Sequence, residues 1–253
     1  MKMTSCKIGW IGCILCLNLG LFACQPQTSS VTTSAQSEDT GQIQSKTVPV
    51  KDANQVVCEI EGCVRFDLQT VDTYISWIDQ YFMERIQRTE PVAFSKVTSN
   101  KIKAKDQPKF IDQRSIQVSY LNQHAHLATF IFKTAHQPER VAQPQSHTEY
   151  VNLDLKQKKR LALHQVMRGN TDEKLKQALY QANKDWLDRY QINQQKLALS
   201  DNYYFDGHGL VLVYPAGELS KTISDMAELK VPYTALSEII RPEYLSLLPQ
   251  TSP

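Results

Sequence analysis

Two closely spaced cysteines are the first residues whose type and spacing could do chemistry. Cys58 and Cys63 flank Glu59-Ile60-Glu61-Gly62, in which Gly62 allows a tight turn between two short strands. In an oxidising compartment such a pair predicts a disulfide. Two free buried thiols or half of a metal site are the alternatives. A zinc site needs further Cys or His ligands at regular spacing, however, and none follows nearby in the sequence.

Histidines offer a second kind of chemistry. His124 and His126 form an H-x-H pair at the foot of a predicted strand, where alternate residues share a face. Both rings could then bind one metal ion, with His136 or His147 supplying a third ligand from a neighbouring strand. The alternative is a pair of exposed turn histidines. Surface exposure is also what we expect of His208, which lies in a predicted hairpin turn.

The motifs of known catalytic sites are absent from the sequence. After the N-terminal segment 1–23, which holds Cys13 and Cys16, it contains no Gly-rich phosphate loop, HExxH, GxSxG, CxxC or EF-hand loop. Its acidic residues are scattered, and no two of them suggest a general acid and base. We therefore expect no enzymatic activity and no cofactor.

The N-terminal segment predicts export and lipidation. Lys2 and Lys7 form a positive region, and an uncharged apolar stretch leads to Leu21-Phe22-Ala23-Cys24. This run resembles the lipobox of bacterial lipoproteins, with residues 1–23 as the signal peptide and Cys24 as the lipidated first residue of the mature chain. An ordinary secretory signal is the alternative. Gln25 resembles the sorting pattern of outer-membrane lipoproteins, so we expect an anchor in the outer membrane, facing the periplasm.

Charge excludes one class of partner. The full chain has 28 basic and 26 acidic residues, and removal of residues 1–23 takes away two lysines and leaves no net charge. Proteins that bind nucleic acid normally carry a clustered basic face, so no nucleic-acid partner is expected. A polybasic membrane patch is absent as well, and the membrane contact is therefore expected through the lipid on Cys24.

Composition divides the mature chain into a tether and a folded part. Residues 24–54 are rich in Ser, Thr and Gln and predict a flexible tether, because such a segment buries too little apolar surface to offset its ordering entropy. Residues 55–248 predict one folded domain, with subdomains at 55–135 and 136–248 as an alternative.

Apolar periodicity predicts two main helices. The first is expected directly after Thr70, and the second is expected after Thr171 and onward to Tyr190. The apolar stripe of the first helix consists of Val71, Ile75, Ile78, Phe82 and Ile86.

The predicted strands do not alternate with these helices. Residues 115–133 predict two strands with a turn at Asn122-Gln123, residues 147–155 another strand, and residues 228–233 a last short one. The turn Asp206-Gly207-His208-Gly209 between apolar runs predicts a hairpin over 203–214. Without a βαβ rhythm, the sequence predicts an α+β fold, a mostly antiparallel sheet with two main helices packed on it.

The order of several segments resembles a known family. The segments are Phe132-Lys133-Thr134-Ala135-His136, then 148–154, the basic turn 158–161, the hairpin 203–215 and Val231-Pro232-Tyr233-Thr234-Ala235-Leu236. Together they resemble the extracellular domain of RsiV-type anti-sigma factors, which is similar to the non-catalytic N-terminal portion of PdaC-type peptidoglycan deacetylases. The resemblance covers about residues 58–248. Lys133-Thr134 stands where the family has paired glycines, so the turn there is expected to differ.

The resemblance implies a binding function. The RsiV ectodomain is implicated in binding lysozyme, so a lysozyme-type muramidase is the implied partner, with peptidoglycan as another ligand. Such muramidases are basic, so attraction to this neutral chain requires a local acidic patch. We expect Asp201, Asp206 and Glu218 around the hairpin, with Tyr214, to form it. The alternative is that these acids only solvate turns.

We therefore expect a non-enzymatic periplasmic envelope lipoprotein that binds a protein or cell-wall ligand. The alternatives are a structural envelope lipoprotein and an enzyme or metal-binding protein with a site at His124, His126 and His136.

Overall fold

The structure is a computed structural model that describes residues 41–96 and 109–249. The predicted signal peptide 1–23, the predicted lipidation site Cys24 and the first part of the predicted tether lie outside the described residues. Within the described part, no helix is both long enough and apolar enough to cross a membrane.

A large sheet dominates the described residues. Its strands are β1 (Lys46–Pro49), β2 (Val56–Glu59), β3 (Gly62–Asp72), β4 (Phe110–His124), β5 (Leu127–Pro138), β6 (Gln145–Asp154) and β7 (Lys159–Arg160). Their order is β1-β3-β4-β5-β6-β7, and β2 also pairs with β3. Every pair is antiparallel except β3 with β4, which is parallel. Because β1 is paired with β3, the segment expected to be a tether up to residue 54 is ordered in part.

The first long helix lies on one face of this sheet. Helix α1 (Ser76–Thr89) buries Ile78, Phe82 and Ile86, as its stripe predicts. It begins later than the sequence suggested, because the residues around Thr70 belong to β3. There the backbone of residues 69–72 pairs with β1, and β3 pairs with β4 up to Gln69. Burial alternates with period two from Arg65 to Thr70.

A smaller sheet carries the second long helix. It consists of β8 (Tyr203–Phe205), β9 (Gly209–Tyr214) and β10 (Ala227–Pro232), in the order β10-β9-β8, which confirms the predicted hairpin. Helix α3 (Asp172–Ala182) packs on β10, and Asn183 separates it from α4 (Lys184–Arg189), so the helix predicted to reach Tyr190 is divided. The short helices α2 (Leu163–Val166) and α5 (Pro242–Leu245) complete this region.

A bulge in β4 decides how the two sheets meet. Ile116, Val118 and Tyr120 of β4 pack in the core with α1, but the register shifts between Tyr120 and Asn122. Asn122 therefore points toward the small sheet, and its Nδ2 donates to the Phe205 carbonyl at 3.0 Å. The same shift moves the turn to Ala125-His126, beyond the predicted Asn122-Gln123.

Buried amides hold the small sheet against β6. Asn152, which is 1% exposed, accepts from Thr129 Oγ1 at 2.8 Å and donates to the Tyr203 carbonyl at 2.6 Å. The Asn202 carboxamide accepts from the Tyr150 N–H and donates to the Thr148 carbonyl. The predicted α+β class is thus confirmed, with one long helix on each sheet. The alternative prediction of two subdomains placed their boundary between residues 135 and 136, which lies inside β5.

Candidate functional site

The hairpin acid Asp206 is held by its own turn. Its Oδ1 accepts from the N–H groups of His208 at 2.7 Å and Gly209 at 2.8 Å, and its other oxygen forms an ion pair with Lys230. Partial burial alone would raise the pKa of Asp206, but Lys230 and the two N–H donors lower it below the usual range. This carboxylate therefore stabilises the hairpin.

The other predicted binding residues do not join Asp206 in one patch. Asp201 accepts from the Leu163 N–H at 2.7 Å and so holds the start of α2. Tyr214 is fully buried, and its hydroxyl donates to the Ala198 carbonyl at 2.8 Å, so it is a core residue and not a surface contact. Glu218 is exposed just beyond β9, at the end of that strand opposite the hairpin turn.

The structure separates the histidines proposed as metal ligands. His124 ends β4 and His126 lies in the turn, whereas His136 pairs with Arg114 toward the opposite end of the same two strands. Burial lowers the pKa of His124. Across residues 41–96 and 109–249, no three His, Cys, Asp or Glu side chains are placed to hold a metal ion. The alternative site at His124, His126 and His136 is therefore not assembled.

A disulfide joins the two cysteines at the base of a turn. Cys58 and Cys63 are direct partners in the β2–β3 pair and are joined by a disulfide. We call residues 58–63 the stapled turn. Ile60, beyond the disulfide, is completely exposed. Gly62 has a φ of +152°, and a Cβ there would lie 2.5 Å from Ile111 Cγ2, so the turn fits closely against the start of β4.

A shallow cavity lies at the same end of the large sheet. Its volume is about 280 Å³, and its lining is Arg65, Phe110, Asp112, Gln113, Gln137, Pro138 and Glu139. Phe110 is the register partner of Cys63, which brings the cavity next to the stapled turn. The Arg65 guanidinium lies 4.3 Å from the centroid of the Phe110 ring, a cation–π contact that fixes both side chains.

An ion-pair cluster fixes one wall of this cavity. Asp112 Oδ2 accepts from Arg114 Nε at 2.9 Å and lies 2.8 Å from His136 Nε2, while Arg114 Nη1 reaches Glu90 at 3.1 Å. Burial opposes ionisation of Asp112, but Arg114 and His136 outweigh it and lower the pKa of that carboxyl. Asp112 Oδ1 is buried and has no hydrogen-bond partner among the described residues.

The lining of the cavity offers several kinds of contact to a ligand. It combines amides, charged groups and one aromatic ring, and two of the charged groups are the carboxylates of Asp112 and Glu139. Sequence reasoning identified the disulfide but neither the cavity nor the exposed Ile60. The available signal was a single apolar residue between two acids inside a short cysteine loop.

Comparison with known proteins gives structural neighbours only. No protein-family model matches the chain, and the search of curated proteins gives no match. A DUF3298 family protein from Pseudomonas aeruginosa PAO1 is similar with a TM-score of 0.59 and 17% identity, over 82% of this chain and 97% of that one. A member of the same family from Bacteroides fragilis is similar with a TM-score of 0.54 and 13% identity, over 83% and 98%. The described chain thus has the fold of these DUF3298 family proteins.

Proposed function

We propose that this protein is a non-enzymatic envelope lipoprotein that binds a protein ligand, and that the ligand is a lysozyme-type muramidase. The observation that carries a binding function is the cavity end of the large sheet. It is a surface held by a disulfide, a cation–π contact and an ion-pair cluster, and its lining offers amides, charged groups and an aromatic ring to a ligand. The muramidase itself rests on the resemblance to RsiV-type ectodomains.

The proposed anchor is lipid on Cys24. It would hold the domain in the outer membrane on the periplasmic side, with the segment before β1 as spacer. Mass spectrometry of the mature N-terminus tests this part independently of binding. We expect an acylated cysteine there, and the anchoring proposal fails if Cys24 is unmodified or if cleavage occurs elsewhere.

Binding is tested by calorimetry of the full chain in detergent against an animal c-type lysozyme at low salt. Cytochrome c, a basic protein without a glycan cleft, is the control for non-specific attraction. We expect saturable binding of lysozyme at micromolar concentration and none of cytochrome c. Equal binding of both proteins, or of neither, would eliminate the muramidase.

Peptidoglycan is the second candidate ligand. The amides of Gln113 and Gln137 line the cavity and could bond to sugar hydroxyls or to the amides of a wall peptide. A muropeptide titrated into the same protein distinguishes this candidate. Changing both glutamines to Ala should abolish muropeptide binding without affecting that of lysozyme, if the glycan occupies the cavity.

A further inference from the structure

Ile60 is presented to solvent in an unusual way. It is the most exposed large apolar side chain in the described part of the chain, and its exposure of 104% exceeds that of Tyr74, the next at 73%. Single exposed apolar residues are normal on protein surfaces, and exposure alone would carry nothing. The surroundings of Ile60 make it distinctive.

The local sequence preferences oppose an isoleucine at this position. Two-residue turns between strands favour Gly, Asn and Asp, whereas a β-branched residue prefers the strand itself. Ile60 nevertheless stands in the turn, between β2 and β3. It packs on nothing there, since its side chain is completely exposed. Neither local propensity nor the protein's own core therefore accounts for it.

The disulfide restricts the conformation of the turn more than it stabilises the fold. A disulfide restricts the unfolded chain least when the loop that it closes is short, and Cys58 and Cys63 are separated by only five positions. Gly62 is also packed against the backbone of Lys109, to whose carbonyl the Cys63 N–H donates at 2.8 Å. A rigid contact residue loses little conformational entropy on binding, which is the general advantage of preorganisation.

Two exposed carboxylates stand on either side of Ile60 in the stapled turn. Glu59 and Glu61 flank it, both are exposed, and within residues 41–96 and 109–249 neither has an ion-pair partner. By contrast, Asp206 and Glu149 are paired with Lys230 and Arg85. An apolar tip between two exposed carboxylates is complementary to an apolar pocket bordered by Lys or Arg.

We infer that the stapled turn is the docking element for the basic partner, and that Ile60 enters an apolar pocket while Glu59 and Glu61 meet basic residues at its border. This inference rests on the proposed function and names the surface and the chemistry that it uses. A fixed apolar anchor ringed by polar contacts is the usual form of a binding hot spot.

The test compares lysozyme affinity of the full-length variants by calorimetry. Ile60→Ser should weaken binding at least tenfold, because it removes the apolar anchor, and its thermal unfolding should match wild type, because the side chain packs on nothing. The matched control is Leu121→Ser, an exposed leucine in the bulge of β4, which should leave the affinity within twofold.

A charge series completes the experiment. The double variant Glu59→Gln, Glu61→Gln should bind several-fold more weakly at low salt, and its binding should depend less on salt. The control is Glu84→Gln with Glu243→Gln, which removes two exposed acids elsewhere. It should change neither the affinity nor its salt dependence. If wild type binds and Ile60→Ser binds equally well, the stapled turn is not the docking element although the proposed function stands. If wild type does not bind lysozyme, both are wrong.

Discussion

The fit of the stapled turn against β4 predicts a large effect of Gly62→Ala. The new Cβ would lie 2.5 Å from Ile111 Cγ2 and 2.9 Å from the Lys109 carbonyl oxygen. The carbonyl cannot retreat freely, since it accepts from the Cys63 N–H at 2.8 Å. Overpacking of this kind costs about 1–3 kcal/mol, and a non-glycine residue at a φ of +152° adds about 1–3 kcal/mol of strain. Alanine also lowers the conformational entropy of the unfolded chain, which offsets about 0.4–1 kcal/mol of the lost stability.

The net expectation for Gly62→Ala is a loss of about 1–6 kcal/mol in unfolding free energy, or roughly 2–24 °C in melting temperature for a domain of this size. The matched control is Gly207→Ala in the β8–β9 turn, where a Cβ would meet nothing within 4 Å. It should stay within about 0.5 kcal/mol of wild type. Chemical denaturation of both variants measures the difference. Equal stabilities would refute the close fit of the stapled turn.

Two further predictions concern covalent and ionisable groups. Changing Cys58 and Cys63 to Ser should cost only about 1–2 kcal/mol, because the closed loop is short, and thiol titration of the denatured, unreduced wild type should find neither cysteine reactive. Burial and the nearby Glu228 raise the pKa of Tyr150 to about 12. Its contribution to stability is therefore complete below about pH 10 and is lost as the pH rises toward 12. Denaturation at several alkaline pH values should show a steeper loss for wild type than for Tyr150→Phe.

Local patterns were sufficient for the elements that are held together by neighbours in sequence. The hairpin over 203–214 is set by apolar runs around Asp206-Gly207, and α3 by acids in its first turn and an apolar stripe. The apolar stripe of α1 is likewise correct from Ile78 onward. These signals concern contacts a few residues apart, which a single sequence displays directly.

Contacts between distant segments were not predictable in this way. Val71 and Ile75 stand at helical spacing from Ile78, yet Val71 belongs to β3, because Thr47 of β1 is its partner in the sheet. The β4 bulge changes which face Asn122 occupies, and no local residue pattern marks it. The burial of Tyr214 is a further example. Its side chain is buried because the core around α3 covers one face of β9, and a hairpin pattern cannot reveal that core.

The candidate site was missed for the same reason. Cys63 and Phe110 are far apart in the sequence but are register partners in the parallel β3–β4 pair. That pairing brings the stapled turn and the Asp112 cluster to one end of the sheet. Parallel neighbours require a crossover connection, so their register is fixed by tertiary packing and not by a turn. Sequence reasoning therefore identified the disulfide but not the cavity that lies next to it.

The two acidic regions of the chain differ in what their carboxylates already do. Asp206 satisfies two backbone N–H groups and a lysine, so Asp206→Asn should destabilise the hairpin whether or not any partner binds. Glu59 and Glu61 satisfy nothing among the described residues, so their replacement should cost no stability. If replacing a residue lowers affinity without lowering stability, that residue is a contact. If the replacement lowers both, the residue acts through the fold. By this criterion, we expect Asp206 to act through the fold of the hairpin, and we expect Glu59 and Glu61 in the stapled turn to act as contacts.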